Sequence, residues 1–272
     1  MLLRAVEYAR PTSIEEALRL LAGHEGARAL AGGQTLLNVM KARAAAPDVL
    51  VDLAALGELR GARRAGDGSL ELGPMTTLAD LMRSSDVAEA RPILAEVAAQ
   101  VADVQVRNRG TVGGNVCSND PTNHLPPLMV ALRARMTIAA GGGEREVPAE
   151  EFFLGVYFTA VAPGELLRRI TIPPRRGGDG FASVTLGRDG TCIVNAAAAV
   201  EDGRARVAIG CVSATPVLMQ PESTDERSVR EAVRTAELDP PSDVHASAEY
   251  RRHLAEVLAL RAIRQASAER ER

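Results

Sequence analysis

Tryptophan is missing from this 272-residue chain, and only three tyrosines and four phenylalanines are present. Stacking platforms for single-stranded nucleic acid are therefore scarce. Lysine is nearly absent too: of 32 basic residues only Lys41 is not arginine, a skew that reads as coding bias rather than structural demand. With a formal net charge of −3, no global positive field exists to gather nucleic acid or an anionic membrane. The three cysteines, Cys117, Cys192 and Cys211, are far apart and form no CxxC pair, which argues against a disulfide framework, a cysteine zinc site or a four-cysteine iron–sulfur cluster within this chain. No metal ligand set is expected, since the histidines at 24, 124, 245 and 253 are scattered and no Ser-His-Asp order appears. Long apolar runs are absent as well. LPPLMVALRARMTIAA comes nearest and is cut by Arg133 and Arg135, so no transmembrane segment is expected. The opening MLLRAVEYARP carries arginines and a proline where a signal peptide needs a continuous apolar run, and the expected location is cytoplasmic.

What remains is an average globular composition, 46% hydrophobic and 25% charged, long enough for one large domain or two to three small ones. Thr12 or Ser13 can cap a helix whose Ile14, Ala17, Leu18 and Leu21 share one face. ARALAGGQTLLNVMKAR reads as strand, glycine break, and helix starting near Thr35, while DVLVDL (48–53) and SLELGPM (69–75) read as strands. Residues 77–102 have a helical pattern expected to break into two helices around Arg91-Pro92. PPLMVALRA suggests a further helix, MTIAA and REVPAEEFF a hairpin joined by Gly141-Gly142-Gly143, and ELLRRITIPP a strand. Composition shifts at Arg175 to Gly180, read as a flexible polar joint and a domain boundary. Beyond it, FASVTLG, CIVNAAAAVED and RARVAIGCVSA form an expected three-stranded meander turning at Asp189-Gly190 and Asp202-Gly203, followed by strongly helical sequence. Within that last stretch, Tyr250-Arg251-Arg252-His253 reads as a solvated or subunit-facing stripe.

Two glycine pairs stand out. Ala31, Gly32, Gly33, Gln34 and Thr35 lie between strand and helix, where glycines allow backbone amides to turn toward an anion and the helix dipole adds to the attraction. The pattern is neither GxGxxG nor a P-loop. The second pair lies in Gly110-Thr111-Val112-Gly113-Gly114-Asn115, and two such loops about eighty residues apart can converge on one pyrophosphate. The competing readings are an ordinary turn and a glycine-rich hairpin packed on a helix. Downstream, Ser118-Asn119-Asp120-Pro121-Thr122-Asn123-His124 offers acceptors for ribose-type hydroxyls or a cap for the next helix, with His124 as a potential acid or base.

AGGQTLLNVMK, GTVGGNVCSNDPTNHLP and YFTAVAPGELLRRITIP, in this order, resemble the FAD-binding medium subunit of the molybdenum hydroxylases, the family of the carbon monoxide dehydrogenase medium subunit and the xanthine dehydrogenase flavin domain. The likeness runs over essentially the whole chain. It implies an α+β protein: a two-lobed FAD-binding domain of the vanillyl-alcohol-oxidase (PCMH) type over 1–175, lobes divided near 55, then a C-terminal domain over 176–272 with a three-stranded antiparallel sheet and helices. It implies that Ala31 to Thr35 and Thr111, Gly113, Gly114 and Asn115 hold the FAD pyrophosphate and its surroundings, with Asp120, His124 and Leu167 also at the cofactor. FAD is expected to be non-covalent, because neither loop places a histidine or cysteine for attachment. The resemblance assigns the molybdenum cofactor and [2Fe-2S] clusters to partner chains, a large and a small subunit, in a dimer of heterotrimers. The chain's role is then to relay electrons from the clusters to an external acceptor; a self-contained flavin oxidase and a nucleotide-binding assembly module are the alternatives. The sequence departs from the family pattern twice: His124 stands where an aspartate is expected in DPxxD, and Cys192 where an aromatic or charged group is expected near the flavin.

Overall fold

The computed structural model describes residues 3–187 and 190–270. The chain opens with β1 (Glu7–Ala9), α1 (Ile14–Gly23), β2 (Ala27–Leu30), α2 (Leu36–Lys41) and β3 (Val49–Asp52). Ser13 caps α1 by accepting from the Glu16 amide, and Glu16 reaches back to the Thr12 amide at 2.8 Å. The strands form a parallel sheet in the order β1-β3-β2, and Ile14, Ala17, Leu18 and Leu21 pack against it.

Next come β4 (Ala62–Arg64), β5 (Leu70–Leu72), α3 (Leu78–Arg83), α4 (Ser85–Ala90), α5 (Ile93–Ala98), α6 (Val104–Arg109), α7 (Val112–Ser118) and α8 (Leu125–Ala131). The hairpin β6 (Arg135–Ala140) and β7 (Gly143–Pro148) follows, then α9 (Ala149–Phe152), the small ribbon β8 (Phe153–Gly155) and β9 (Phe158–Thr159), and β10 (Leu166–Ile172). β4-β5-β10-β6-β7 is an antiparallel sheet covered by helices, with Leu81, Leu94, Leu128, Met129, Met136 and Phe152 in its core. The 77–102 region holds three helices, not two. Ser84 ends one and caps the next by accepting from the Val87 amide, a boundary that apolar spacing alone conceals.

The last part comprises β11 (Gly178–Thr185), β12 (Cys192–Glu201), β13 (Arg204–Gly210), β14 (Val217–Met219), α10 (Glu226–Thr235) and α11 (Ala248–Arg270). Its antiparallel sheet has four strands in sequence order, one more than expected, because the three-residue β14 pairs with β13 through Val217, Leu218 and Met219. The alanine run of β12 alternates between two covered faces: Ala196 and Ala198 pack in the cluster with α11, whereas Ala197 packs in the cluster with α8. Small side chains let helices approach both faces. Of the expected Asp189-Gly190 turn, Asp189 lies outside the described residues.

The expected joint at 175–180 is not flexible. Gly178, Asp179 and Gly180 are buried strand residues, and Asp179 accepts from Arg91 Nη1 at 2.7 and 2.8 Å. Arg91 Nη2 also donates to the Pro173 carbonyl at 3.1 Å. Likewise Arg251, expected in a solvated stripe, is buried and donates to the Ile193 carbonyl at 2.6 Å and to Asp243 at 2.7 Å.

Candidate functional site

The segment Ala31 to Thr35 leaves the C-terminal edge of β2 and turns into α2. Gly33 has φ +73°, a conformation that disfavours any residue with a β-carbon. At Gly32 a β-carbon would sit 2.0 Å from the Arg109 carbonyl oxygen, so only glycine fits. Gln34 Nε2 donates to the Gly32 carbonyl at 3.1 Å, and Asn38 Nδ2 to the Gln34 carbonyl at 2.8 Å, which fixes the turn from within. Among the described residues the amides of Gly32, Gly33, Gln34 and Thr35 donate to no acceptor. Four consecutive donors without partners are a cradle for an anion.

The second glycine pair is built differently. Thr111 to Asn115 is the cap and first turn of α7 rather than a loop, and its amides are used: Val112 to the Thr76 carbonyl, Gly113 to the Pro74 carbonyl, Gly114 to Thr111 Oγ1 and Asn115 to the Thr111 carbonyl. Gly113 is glycine because a β-carbon would lie 2.4 Å from Pro74 Cβ. The backbone amides of the first segment are thus free, while those of the second are used within the chain and its glycines serve backbone packing. The two segments nevertheless meet. Gly32 abuts Arg109 and Gly110, and a β-carbon on Gly114 would lie 3.5 Å from Ala31 Cβ. The second segment also carries Asn115, whose side-chain Oδ1 is buried without a hydrogen-bond partner.

Asp120 neither caps α8 nor stands free. It accepts from the Thr122 amide at 2.9 Å and the Thr122 hydroxyl at 2.8 Å, an Asx turn, and from the Tyr157 hydroxyl at 2.9 Å. Burial and the Asp120 carboxylate push the Tyr157 phenol up to about 12. Asn123 Nδ2 donates to the Asn115 carbonyl at 2.9 Å and to Ser118 Oγ at 3.1 Å, joining the polar run to α7. Asn119, in the left-handed region with φ +38°, ends α7 and donates to the Gly155 carbonyl at 2.6 Å. Asn119 and Tyr157 are organising residues that sequence reasoning did not single out; an asparagine just past a helix was the available signal.

His124 precedes α8 and is 5% exposed, its ring 5.5 Å from that of Phe181. Burial pushes the imidazole down to about 4, and Nε2 has no hydrogen-bond partner. His124, expected as a potential acid or base, is therefore neutral at neutral pH, because its shell provides no group to stabilise the cation. Leu167 is a buried residue of β10 in the same apolar cluster as Val112 and Val116, so its part is packing. A separate cavity of about 390 Å³ lies between α6 and β11, lined by Gln100, Asp103, Val104, Arg107, Ser183 and Thr185; none of the expected site residues lines it. Among the described residues no group of three or more His, Cys, Asp or Glu side chains could hold a metal ion, and no helix is long and apolar enough to cross a membrane.

Unpartnered amides at Gly32 to Thr35 are donors of the kind that suit a pyrophosphate, and the unpartnered carboxamide oxygen of Asn115 is an acceptor of the kind that suits a hydroxyl. Residues 4–175 match the FAD binding domain in molybdopterin dehydrogenase, and residues 182–266 match the CO dehydrogenase flavoprotein C-terminal domain. The carbon monoxide dehydrogenase medium chain of Afipia carboxidovorans is 38% identical, with 96% of each chain covered. The nicotine 6-hydroxylase medium subunit of Paenarthrobacter nicotinovorans is 33% identical over 98% of this chain and 99% of the relative. Among solved structures, reconstituted CO dehydrogenase from Oligotropha carboxidovorans superimposes with a TM-score of 0.93 at 35% identity, covering 99% of this chain and 100% of that one. Quinoline 2-oxidoreductase from Pseudomonas putida 86 gives 0.89 at 35% identity, with 98% of both chains covered. Cradle, fold and full-length similarity agree, and the chain belongs to the family of FAD-binding medium subunits of molybdopterin dehydrogenases, completed by a CO dehydrogenase flavoprotein C-terminal domain.

Proposed function

We propose that this chain is the FAD-binding electron-transfer subunit of a molybdenum hydroxylase complex, receiving electrons from iron–sulfur clusters on a partner chain and passing them to an external acceptor. The observation that carries the reading is the set of unpartnered amides from Gly32 to Thr35, in a segment that abuts the helix carrying Asn115. When bound, FAD supplies the redox chemistry, and the protein supplies binding, orientation and tuning. In this reading Gly32, Gly33, Gln34 and Thr35 donate amides to the pyrophosphate, and Gly113 and Gly114 let α7 pack closely on Pro74 and beside Ala31. Thr111 caps the helix that carries Asn115. Asp120, held by Thr122 and Tyr157, has its remaining acceptor capacity available for hydroxyls. His124 and Leu167 shape the apolar wall. Residues 1–175, in two lobes divided near 55, form the cofactor-binding part, and 176–272 the part that closes it. The partners are a large molybdenum-cofactor subunit and a small [2Fe-2S] subunit, as a dimer of heterotrimers in the cytoplasm.

The test is the visible spectrum and metal content of the separated chain. A flavin spectrum at one FAD per chain, released by acid precipitation, with neither molybdenum nor iron, is expected. An adenine nucleotide without a flavin spectrum would favour the assembly module, and flavin reduced by an organic substrate without partner chains would favour the self-contained oxidase.

A further inference from the structure

Two of the three free cysteines, Cys192 and Cys211, are buried side by side in the C-terminal sheet, and neither belongs to the cradle. Two backbone irregularities bring them together. Val184 pairs with Val194 but Thr185 pairs with Cys192, so Ile193 is the extra residue of a β-bulge. The bulge breaks the alternation of β12: Ile193 packs in the α11-side cluster with Val194, and Cys192 comes to the face of Asn195. On the neighbouring strand end, Cys211 holds φ +66°, the left-handed region that a β-carbon disfavours. Strain of this kind persists where surrounding structure enforces it, and it marks places with a task.

Both sulfurs converge on one donor. Asn195 Nδ2 lies 3.4 Å from Cys192 Sγ and 3.5 Å from Cys211 Sγ, so one amide group touches both sulfurs. The neighbouring Cys211, Asn195 and the Arg251 charge draw the Cys192 thiol below its ordinary range, whereas Cys192 and burial hold Cys211 well above it. The first proton therefore leaves the pair more easily than the second. A small cleft lined by Asp120, Asn123, Pro127, Cys211 and Ser213 reaches Cys211 from the polar run before α8. Cys117 is the contrast: burial alone pushes its thiol up to about 12.

We propose that Cys192 and Cys211 are a redox-active dithiol that closes to a disulfide when hydrogen peroxide enters the cleft beside Cys211. The thiolate of the pair attacks one peroxide oxygen, the O–O bond breaks, and the leaving oxygen departs as water after taking a proton. The second sulfur then attacks the sulfenic sulfur, the S–S bond forms and the S–O bond breaks, releasing a second water. Two thiols are oxidised by two electrons in all and one peroxide is reduced to two waters. The link would tie β12 to the chain just past β13. It is independent of the FAD reading, since no cofactor takes part.

The experiment uses the full wild-type chain, reduced, freed of reductant and exposed to a few-fold excess of hydrogen peroxide. It is then denatured with an alkylating agent and its intact mass measured. Alkylatable thiols should fall from three to one, Cys117, with a disulfide between the tryptic peptides that contain Cys192 and Cys211, reversed by dithiothreitol. Cys192→Ser should keep two alkylatable thiols before and after peroxide. Survival of all three thiols, oxygen addition to a cysteine in place of a link, or a link that includes Cys117 would overturn the proposal. Peptide mapping of the wild type decides it even where the serine variant does not fold.

Discussion

His124 makes the stability of this chain depend on pH in a calculable way. In the unfolded chain its imidazole protonates at the ordinary value near 6.5; in the folded chain burial against Phe181 pushes that event down to about 4. The folded value is the lower one, so protons bind preferentially to the unfolded state. The stability that neutral His124 permits is present above pH 6.5 and is lost as pH falls toward 4. The full loss is about 3 kcal/mol, of which about 2 kcal/mol falls between pH 7 and pH 5. Comparing wild type with His124→Leu isolates it, because every other titrating group is common to both proteins. Urea unfolding at pH 7 and at pH 5 should show the wild type losing about 2 kcal/mol more than the variant. An equal loss in both would mean that the imidazole is solvated or finds a partner for its proton, and the burial reasoning would fail. The same burial predicts that any flavin potential measured from about pH 5.5 to 8 will carry no His124 titration.

Three further outcomes follow from other parts of the fold. Gly32→Ala puts a methyl group 2.0 Å from the Arg109 carbonyl oxygen and should yield protein largely free of flavin, whereas Gly141→Ala, with nothing within 4 Å, should retain it; absorbance per chain distinguishes them. Arg91→Ala leaves Asp179 buried and unpaired and should destabilise by about 3–5 kcal/mol, while Arg91→Met with Asp179→Leu should recover most of that, read from urea midpoints. Ser13→Ala removes the cap of α1 and should lower stability by about 1 kcal/mol in the same assay.

Much of the architecture was legible because local chemistry and tertiary structure agree. Ser13 caps where the sequence places a cap, the Gly141 to Gly143 hairpin forms between β6 and β7, and Thr35 precedes α2. The misreadings occur where distant contacts overrule local composition. Residues 175–180 look like a linker, yet Arg91, far away in sequence, supplies the charge that lets Asp179 be buried in a strand. Two adjacent glycines argue against helix at 113–114, yet Thr111 caps the turn and Pro74 fills the space that side chains would occupy. The meeting of Cys192 with Cys211 depends on a bulge, and a single inserted residue leaves no trace in an alternating pattern.

The two glycine pairs show why a motif must be divided into tasks before it is given a function. Glycine is required wherever a backbone must come closer to something than a β-carbon allows, and the sequence does not say whether that something is a ligand or another stretch of chain. At Gly32 and at Gly113 the neighbour is protein, the Arg109 carbonyl in one case and Pro74 in the other, and both contacts would be needed even in a protein that bound nothing. The distinguishing quantity is the fate of the amides. Those of Val112 to Asn115 end within the chain, whereas those of Gly32 to Thr35 do not, so the proposed function gives the anion to the first segment and packing to the second. Loss of flavin in Gly113→Ala would then come from displacement of α7 against Pro74, and should be accompanied by a loss of stability, measured by urea unfolding of flavin-free protein, larger than that of an alanine exchange at an exposed glycine such as Gly141. Flavin loss at unchanged apo stability would instead mean that Gly113 itself faces the cofactor and that the division of tasks drawn here is wrong.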